Sequence, residues 1–197
     1  MSIVKKMQNK PEVKVLLELM RLSNTEAYTH SLSVASITEK MLLHTDYSKE
    51  EREDIVTGAL LHDIGKVFVP LNLTQFPQSL SLQEFNIVKV HASVSYEIVK
   101  SVFSKTVQNI CLYHHEKPDG SGYMNNITLF YIPAEALLVQ VADVYDALTS
   151  DRSYKKRYNP EEALRNMKSD AFKFTLDDQY VGLLEKVLKE QREQKED

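Results

Sequence analysis

Apolar residues recur at helical spacing along most of the chain. Val34, Ile37 and Met41, for example, follow one another at intervals of three and four residues, which places them on one face of an α-helix. No segment shows the strict alternation of apolar and polar residues that is typical of a strand ladder. The sequence therefore predicts an all-α protein. Its predicted helices are residues 11–22, 24–45, 49–63, 81–103, 106–115, 134–149, 160–169 and 177–194.

The loops and the length indicate how these helices are organised. Asn159 can cap the helix that follows it, with Pro160 in the first turn. At 197 residues, the chain can bury one sizeable core but is short for two ordinary domains. We therefore expect residues 1–22 to form a short helical N-terminal extension and residues 23–197 to form a single domain.

Composition narrows the class of protein. The chain is 43% hydrophobic and 26% charged, which is typical of a soluble globular protein. A net charge of −4 without long single-sign blocks argues against binding to a nucleic-acid polymer, although a local pocket for a small anion remains open. No apolar run approaches a membrane span, no signal peptide is present, and Cys111 is the only cysteine. These features predict a cytoplasmic protein without a membrane segment.

Residues that can bind metals interrupt the apolar faces of five predicted helices. Burying such groups without partners costs several kcal/mol each, so they need hydrogen bonds, ion pairs or a metal. A lone histidine is usually a satisfied core or surface residue, and His44, near a helix C-terminus, fits that description. The remaining residues come in combinations with carboxylates or in doublets. They are Glu26 with His30, His62 with Asp63, His91, His114 with His115, and Asp143 with Asp146.

The doublets favour more than one metal ion. Adjacent residues on a helix diverge by about 100°, so a neighbouring pair at a helix end can serve two neighbouring ions. The donors are nitrogen and oxygen without thiolate, which favours iron, manganese or zinc. Two octahedral ions need about twelve coordination positions, more than these side chains supply, so water and substrate would fill the rest. Two ions about 3.5 to 4 Å apart can clamp a phosphodiester.

Five motifs in order carry a resemblance to a known family. They are EAYTH at residues 26–30, LLHDIGK at 60–66, VKVH at 88–91, HHEKPDGSGY at 114–123, and VADVYDALTSDRSYK at 141–155. Together they resemble the HD superfamily of metal-dependent phosphohydrolases, and more closely its HD-GYP branch, from about Asn24 to Leu184. The resemblance implies a single-domain helical bundle of the HD-domain type with a multinuclear metal site in its core. It implies two or three divalent ions, iron or manganese, with zinc, nickel or cobalt as substitutes.

The resemblance also assigns roles to residues of this chain. His30, His62, Asp63 and Asp143 match the ligands of one ion. His91, His114 and His115 match those of a second ion, with Asp63 as the bridge. Glu26 matches the extra carboxylate of relatives that hold three ions, although a hydrogen-bonding role for it stays open.

Other positions match the substrate-binding parts of the family. Lys66 matches a lysine close to the metals, where a cation can hold the scissile phosphate, and is expected to be catalytic together with Asp63. Arg152 and Lys155 match residues that grip substrate phosphates. Asp146 is a candidate either for the substrate site or, in preference, for a hydrogen-bond partner of the ligands.

One departure from the family pattern concerns the loop near the substrate. The family's Gly-Tyr-Pro is Gly122, Tyr123 and Met124 here, and residues 74–79 lack the usual glycine. Proline restricts the backbone and methionine does not. The departure leaves open the exact substrate and the docking of a protein partner through Gly122 and Tyr123, but no expected metal ligand is missing.

The expected function is a metal-dependent phosphodiesterase that hydrolyses cyclic di-GMP to pGpG, and in some cases on to GMP, by attack of a metal-bridging hydroxide. One alternative is an HD phosphohydrolase that acts on cyclic GMP-AMP or on a mononucleotide. Another is a catalytically inactive cyclic-dinucleotide sensor, although such proteins often lose the ligands or the lysine that this chain retains. A homo-oligomer is compatible with the sequence.

Overall fold

A computed structural model describes residues 1–74, 80–150 and 157–196, with the side chains of residues 195 and 196 left aside. Within these ranges the protein is helical and contains no strand, which confirms the all-α prediction. Short 3-10 helices span Ile64–Phe68 and Leu129–Tyr131. The α-helices are α1 (Ile3–Gln8), α2 (Pro11–Ser23), α3 (Thr25–Leu42), α4 (Lys49–Leu61), α5 (Leu71–Thr74), α6 (Leu82–Val99), α7 (Lys105–Tyr113), α8 (Ala134–Thr149), α9 (Pro160–Met167) and α10 (Asp178–Glu196).

Three helices begin with a capping box. In each, the side chain of the residue just before the helix accepts a hydrogen bond from the backbone N–H three residues later. The glutamate at that later position accepts a hydrogen bond from the backbone N–H of the capping residue. This arrangement satisfies N–H groups that the first helical turn leaves free, and it fixes where the helix begins. The pairs are Ser48 with Glu51 in α4, Ser81 with Glu84 in α6, and Asn159 with Glu162 in α9.

Several helices end earlier than the periodicity predicts. Helix α4 ends at Leu61, and the chain continues as the 3-10 helix Ile64–Phe68. The tight turn lets Gly65 approach α6 so closely that a Cβ atom there would lie 2.1 Å from the His91 carbonyl oxygen. The prediction of a helix to residue 63 was therefore wrong, because the chain tightens into a 3-10 helix whose Gly65 packs against α6.

The helices pack around one apolar core. Helix α3 lies against α4 and α8, α4 packs on α7, and α6 packs on α7 and the 3-10 helix that follows α4. Met7, Val13 and Leu17, from α1 and α2, are buried in the same cluster as residues of α4, α7 and α8. The boundary at residue 22 stays a prediction, but α1 and α2 share the core of the rest of the chain.

Helix α1 lies in the predicted helical extension, residues 1–22, but was not predicted as a separate helix. It has six residues, too few to show two turns of periodicity, and packing against α4 supports it. No helix in the described ranges is both long and apolar enough to cross a membrane.

Candidate metal centre

Seven histidine and aspartate side chains meet in the interior of the bundle. They come from five places in the chain that packing brings together: the middle of α3, the turn after α4, the middle of α6, the turn after α7, and α8. They form two groups, and within each group the metal-binding atoms all lie within 4.8 Å of one another. The first group is His30, His62 and Asp143, and the second is Asp63, His91, His114 and His115.

Asp63 lies between the two groups. Its Oδ1 atom is 3.2 Å from His91 Nε2, in the second group. Its Oδ2 atom is 3.4 Å from His62 Nε2 and 3.8 Å from His30 Nε2, in the first group. The two carboxylate oxygens therefore face different groups, which is the geometry that a bridging ligand needs.

Backbone carbonyl groups orient three of the histidine rings. His62 Nδ1 donates to Ala59 O at 2.8 Å, and His91 Nδ1 donates to Val88 O at 2.6 Å. A carbonyl oxygen only accepts, so Nδ1 carries the proton in these rings. In the neutral imidazole, the Nε2 lone pair is then free to bind a metal in the centre of the cluster. His114 is held in the same way by the carbonyl oxygens of residues 110 and 111.

The buried nitrogen atoms fit a divalent cation. His62 Nε2 is buried without a hydrogen-bond partner in the described structure, and its 3.4 Å contact with Asp63 is too poor to supply one. His91 Nε2 lies 3.4 Å from His114 Nε2. Because both rings carry their proton on Nδ1, two lone pairs face each other there. A buried acceptor without a donor is costly. One cation beside His62 and another between His91 and His114 would satisfy these nitrogens.

The protonation states also suit metal binding. Burial, followed by the nearby charges of His62 and His91, lowers the pKa of His114 to about 3, so its ring is neutral at neutral pH. Burial by itself would raise the pKa of Asp63, but Lys66 and His62 outweigh it and hold that pKa well below its usual value. Neutral imidazoles and ionised carboxylates are the forms that bind metal ions.

His30 is held between two carboxylates. Its Nε2 atom is 2.9 Å from Asp143 Oδ1, and its Nδ1 atom is 2.6 Å from Asp146 Oδ2. Burial opposes a charged ring, but these two hydrogen bonds prevail and raise the pKa of His30 to about 9. A metal ion would therefore replace the proton on Nε2.

Asp146 is buried and hydrogen-bonded within the protein. It is only 2% exposed, and it also accepts hydrogen bonds from Ser33 and Ser150. Its position favours the role of a partner that orients His30 over the substrate-binding role that the sequence left open.

Lys66 and Glu26 lie at the edge of the cluster. Lys66 Nζ is 2.5 Å from Asp63 Oδ2 and the side chain is partly exposed. Lys66, His30 and Glu26 line a small cavity of about 40 Å³ together with Asn24, Ala27 and Thr74. Glu26 belongs to neither group of donors, so its role toward a third ion stays a prediction.

Glu116 is a buried residue near the site that the sequence reading missed. Its carboxylate accepts hydrogen bonds from the backbone N–H groups of Asn125 at 2.5 Å and Ile127 at 3.1 Å. These bonds fold the loop containing Gly122 back toward the histidines, and a Cβ atom at Gly122 would lie 2.4 Å from the Lys117 backbone nitrogen. An acidic residue directly after a metal-binding doublet was the signal available in the sequence.

The loop places an aromatic ring on the centre. Tyr123 stacks on His115 with 4.6 Å between ring centroids and 30° between ring planes. Tyr123 thus lies beside the second group of donors, and its contact with the substrate stays a prediction. Arg152 and Lys155 lie outside the described residues, as do residues 75–79 of the segment without glycine.

The comparisons with known proteins define the family. A family profile described as HD domain matches residues 14–179, and the chain belongs to this family. The cyclic di-GMP phosphodiesterase PA4108 of Pseudomonas aeruginosa is 36% identical over 156 residues, which are 77% of this chain and 38% of that protein. The 3'3'-cGAMP-specific phosphodiesterase 2 of Vibrio cholerae is 32% identical over 150 residues, 75% of this chain and 29% of that protein.

A solved structure shows the same fold. Bd1817, an HDG"Y"P protein from Bdellovibrio bacteriovorus, superposes with a TM-score of 0.70 over 94% of this chain and 60% of that one, at 24% sequence identity. The predicted bundle of the HD-domain type is thereby confirmed. The chain spans about two fifths of the length of PA4108.

Proposed function

We propose that this chain is a metal-dependent phosphodiesterase of the HD-GYP type that hydrolyses cyclic di-GMP to pGpG, with GMP as a further product. The observation that carries the proposal is the pair of nitrogen and oxygen donor groups that share Asp63, with Lys66 in contact with the Asp63 carboxylate. The names of the relatives support the substrate, since PA4108 is called a cyclic di-GMP phosphodiesterase.

The two donor groups would each hold one divalent ion, with iron or manganese as the proposed metals. His30, His62 and Asp143 would hold one ion, and the three remaining histidines the other, with Asp63 shared. When bound, such ions lower the pKa of water and withdraw charge from phosphate oxygens. Glu26 is proposed to contribute to a third ion from the wall of the neighbouring cavity.

The side chains around the donors would bind and orient the substrate. The Lys66 ammonium group lies within hydrogen-bond distance of Asp63, so it can reach a phosphate placed beside that carboxylate and stabilise the charge that develops on it. Asp146 would act as a positioning residue, because it sets the orientation of the His30 ring. Arg152 and Lys155 are proposed to hold phosphate oxygens.

A second candidate substrate is cyclic GMP-AMP. A Vibrio cholerae relative is named as specific for 3'3'-cGAMP, and Met124 stands where the family has proline. An inactive sensor is less well supported, because Lys66 and all seven donors of the two groups are present.

The decisive experiment is a hydrolysis assay. The protein would be purified without oxygen, loaded with Mn²⁺ or Fe²⁺, and incubated with cyclic di-GMP or cyclic GMP-AMP, with products separated by chromatography. We expect metal-dependent pGpG from cyclic di-GMP. Asp63→Ala should reduce the rate by more than the roughly 100-fold that loss of an outer hydrogen-bond partner costs, because it removes the shared donor.

Asp46→Ala is the matched control, since Asp46 is exposed and distant in sequence from all seven donors. It should keep the rate of the unaltered protein. Intact cyclic di-GMP despite two bound ions per chain would contradict the proposed substrate, and full activity of Asp63→Ala would contradict the proposed site.

Three further expectations stay predictions. They are a cytoplasmic site of action, a homo-oligomer, and a protein partner that binds the loop containing Gly122 and Tyr123.

The single cysteine, Cys111, is free and buried.

A further inference from the structure

A cluster of aromatic and cationic side chains adjoins the metal centre on the surface of α6. Phe85 and Lys89 lie one turn apart on the same face of this helix. The Lys89 Nζ atom is 4.6 Å from the centroid of the Phe85 ring and 5.3 Å from that of Tyr123. The rings of Phe85 and Tyr123 are 6.0 Å apart and nearly perpendicular, at 81°. The three side chains thus form a corner with two aromatic walls and one ammonium group.

The corner is in direct contact with the donor groups. The Tyr123 ring that contacts Phe85 also stacks on His115 and lies 6.5 Å from the His91 ring, centroid to centroid. These contacts put the corner within reach of a nucleoside whose phosphate binds at the metal centre.

Phe85 is not used by the core. It is 39% exposed and is absent from the buried apolar clusters of the described structure. An exposed phenylalanine beside a catalytic centre is available to a ligand. Aromatic rings stack well on nucleobases, and such a stack contributes about 1 to 3 kcal/mol per base.

Lys89 adds a preference among bases. An ammonium group has only hydrogen-bond donors. Guanine presents two acceptors, O6 and N7, on one edge, whereas adenine presents N7 beside the N6 donor. The Lys89 ammonium lies over the Phe85 ring, so a base that stacks on this face displaces it to the edge of the base, where a donor favours guanine over adenine.

We propose that Phe85, Lys89 and Tyr123 form a base-recognition corner that stacks one base of the cyclic dinucleotide and selects guanine there. This inference rests on the proposed function. The metal-binding residues would bind a phosphate of the cyclic dinucleotide, and the corner would bind one of its bases. It makes Phe85 and Lys89 specificity-determining residues.

The test compares two substitutions in the corner with two matched controls. Phe85→Ala removes the stacking ring, and Lys89→Met keeps the length of the side chain but removes its charge. Phe130→Ala is the control for the ring, since Phe130 is 89% exposed. Lys105→Met is the control for the cation, since Lys105 lies over a different ring, that of Tyr96, at 5.9 Å.

The measurements are kcat and KM for cyclic di-GMP and the inhibition constant of cyclic di-AMP. Phe85→Ala should raise the KM for cyclic di-GMP about tenfold, with kcat changed by less than about threefold, because stacking holds the substrate without touching the reacting atoms. Lys89→Met should reduce the preference for cyclic di-GMP over cyclic di-AMP about tenfold. Both controls should match the unaltered protein.

Metal content and thermal melting would show whether each variant is folded. If Phe85→Ala does not fold, Phe85→Leu replaces it, because leucine keeps an apolar side chain but lacks an aromatic face. Folded, metal-loaded corner variants with unaltered KM and unaltered base preference would overturn the proposal while leaving the phosphodiesterase function intact.

A failure of the proposed function would look different. If the unaltered protein binds cyclic di-GMP in calorimetry without hydrolysing it, the function fails, and the corner is judged by binding: weaker binding by Lys89→Met supports it, and equal binding overturns it. If the unaltered protein neither binds nor hydrolyses any cyclic dinucleotide, both proposals are overturned.

Discussion

The metal centre and a groove between α9 and α10 show two ways in which charged side chains cluster. The side chains that line the groove include Glu161, Lys168, Glu185 and Arg192. The groove is much the larger cavity, about 910 Å³. Its charges are paired, with Lys168 at 2.5 Å from Glu185 and Arg192 at 2.9 Å from Glu161. All four side chains are about half exposed. These groups are paired with one another and are exposed to solvent.

The metal centre has the opposite character. Most of its donors are buried, and several of them face atoms of the same kind, such as the Nε2 atoms of His91 and His114. Such an arrangement is unfavourable without a cation between the donors. The comparison indicates that buried metal-binding atoms without hydrogen-bond partners are a better guide to a binding site here than the volume of a cavity.

Among substitutions that leave all seven donors in place, the largest effect is expected from the residue that orients His30. Asp146→Asn keeps the shape of the side chain but removes the charge that faces His30 Nδ1. We expect metal affinity to fall about 10- to 100-fold, the usual cost of losing a hydrogen-bond partner behind a ligand. Competition with a chelator measures this, and Asp46→Asn is the exposed control. Unaltered metal affinity would show that the orientation of His30 does not depend on Asp146.

An intermediate effect is expected at the loop beside the centre. Glu116→Gln replaces one of two carboxylate acceptors with an NH₂ group, so one of the N–H groups of Asn125 and Ile127 loses its partner. The free energy of unfolding should fall by about 1 to 3 kcal/mol, with metal content retained. Urea denaturation measures the change, and Glu193→Gln is the control at an exposed site. A change equal to that of the control would mean that the loop is held by other contacts.

The smallest effect is expected in the groove. Glu185→Gln breaks the exposed pair with Lys168, and such pairs contribute only about 0.2 to 1 kcal/mol. Hydrolysis of cyclic di-GMP should be unchanged, because the pair does not contact the metal centre. A large loss of activity would contradict the comparison, because it would make the groove part of the active site.

Local signals explain why most of the bundle was predictable. Each of the eight helices predicted from apolar periodicity is present, because a buried helical face imposes its own spacing on the sequence. The Asn159 cap was also predictable, since the cap and its partner Glu162 lie within one turn.

Two features of the helices were not encoded by local periodicity. After α4 ends at Leu61, the chain continues as a 3-10 helix whose Gly65 approaches the backbone of α6. Helix α1 is too short to show a pattern and owes its stability to packing on α4.

By itself, the sequence determined the helical class and the residues that could bind metals, because both follow from residue type and local spacing. Local spacing did not show how those residues combine; the family resemblance predicted the two sets around Asp63, and only the tertiary structure shows the contacts that produce them. Packing of α3, α4, α6, α7 and α8 divides the donors into two groups, turns the oxygens of Asp63 toward different groups, and places Asp146 behind His30. It also brings Phe85 against Tyr123. These relations join positions tens of residues apart, and local spacing does not encode them.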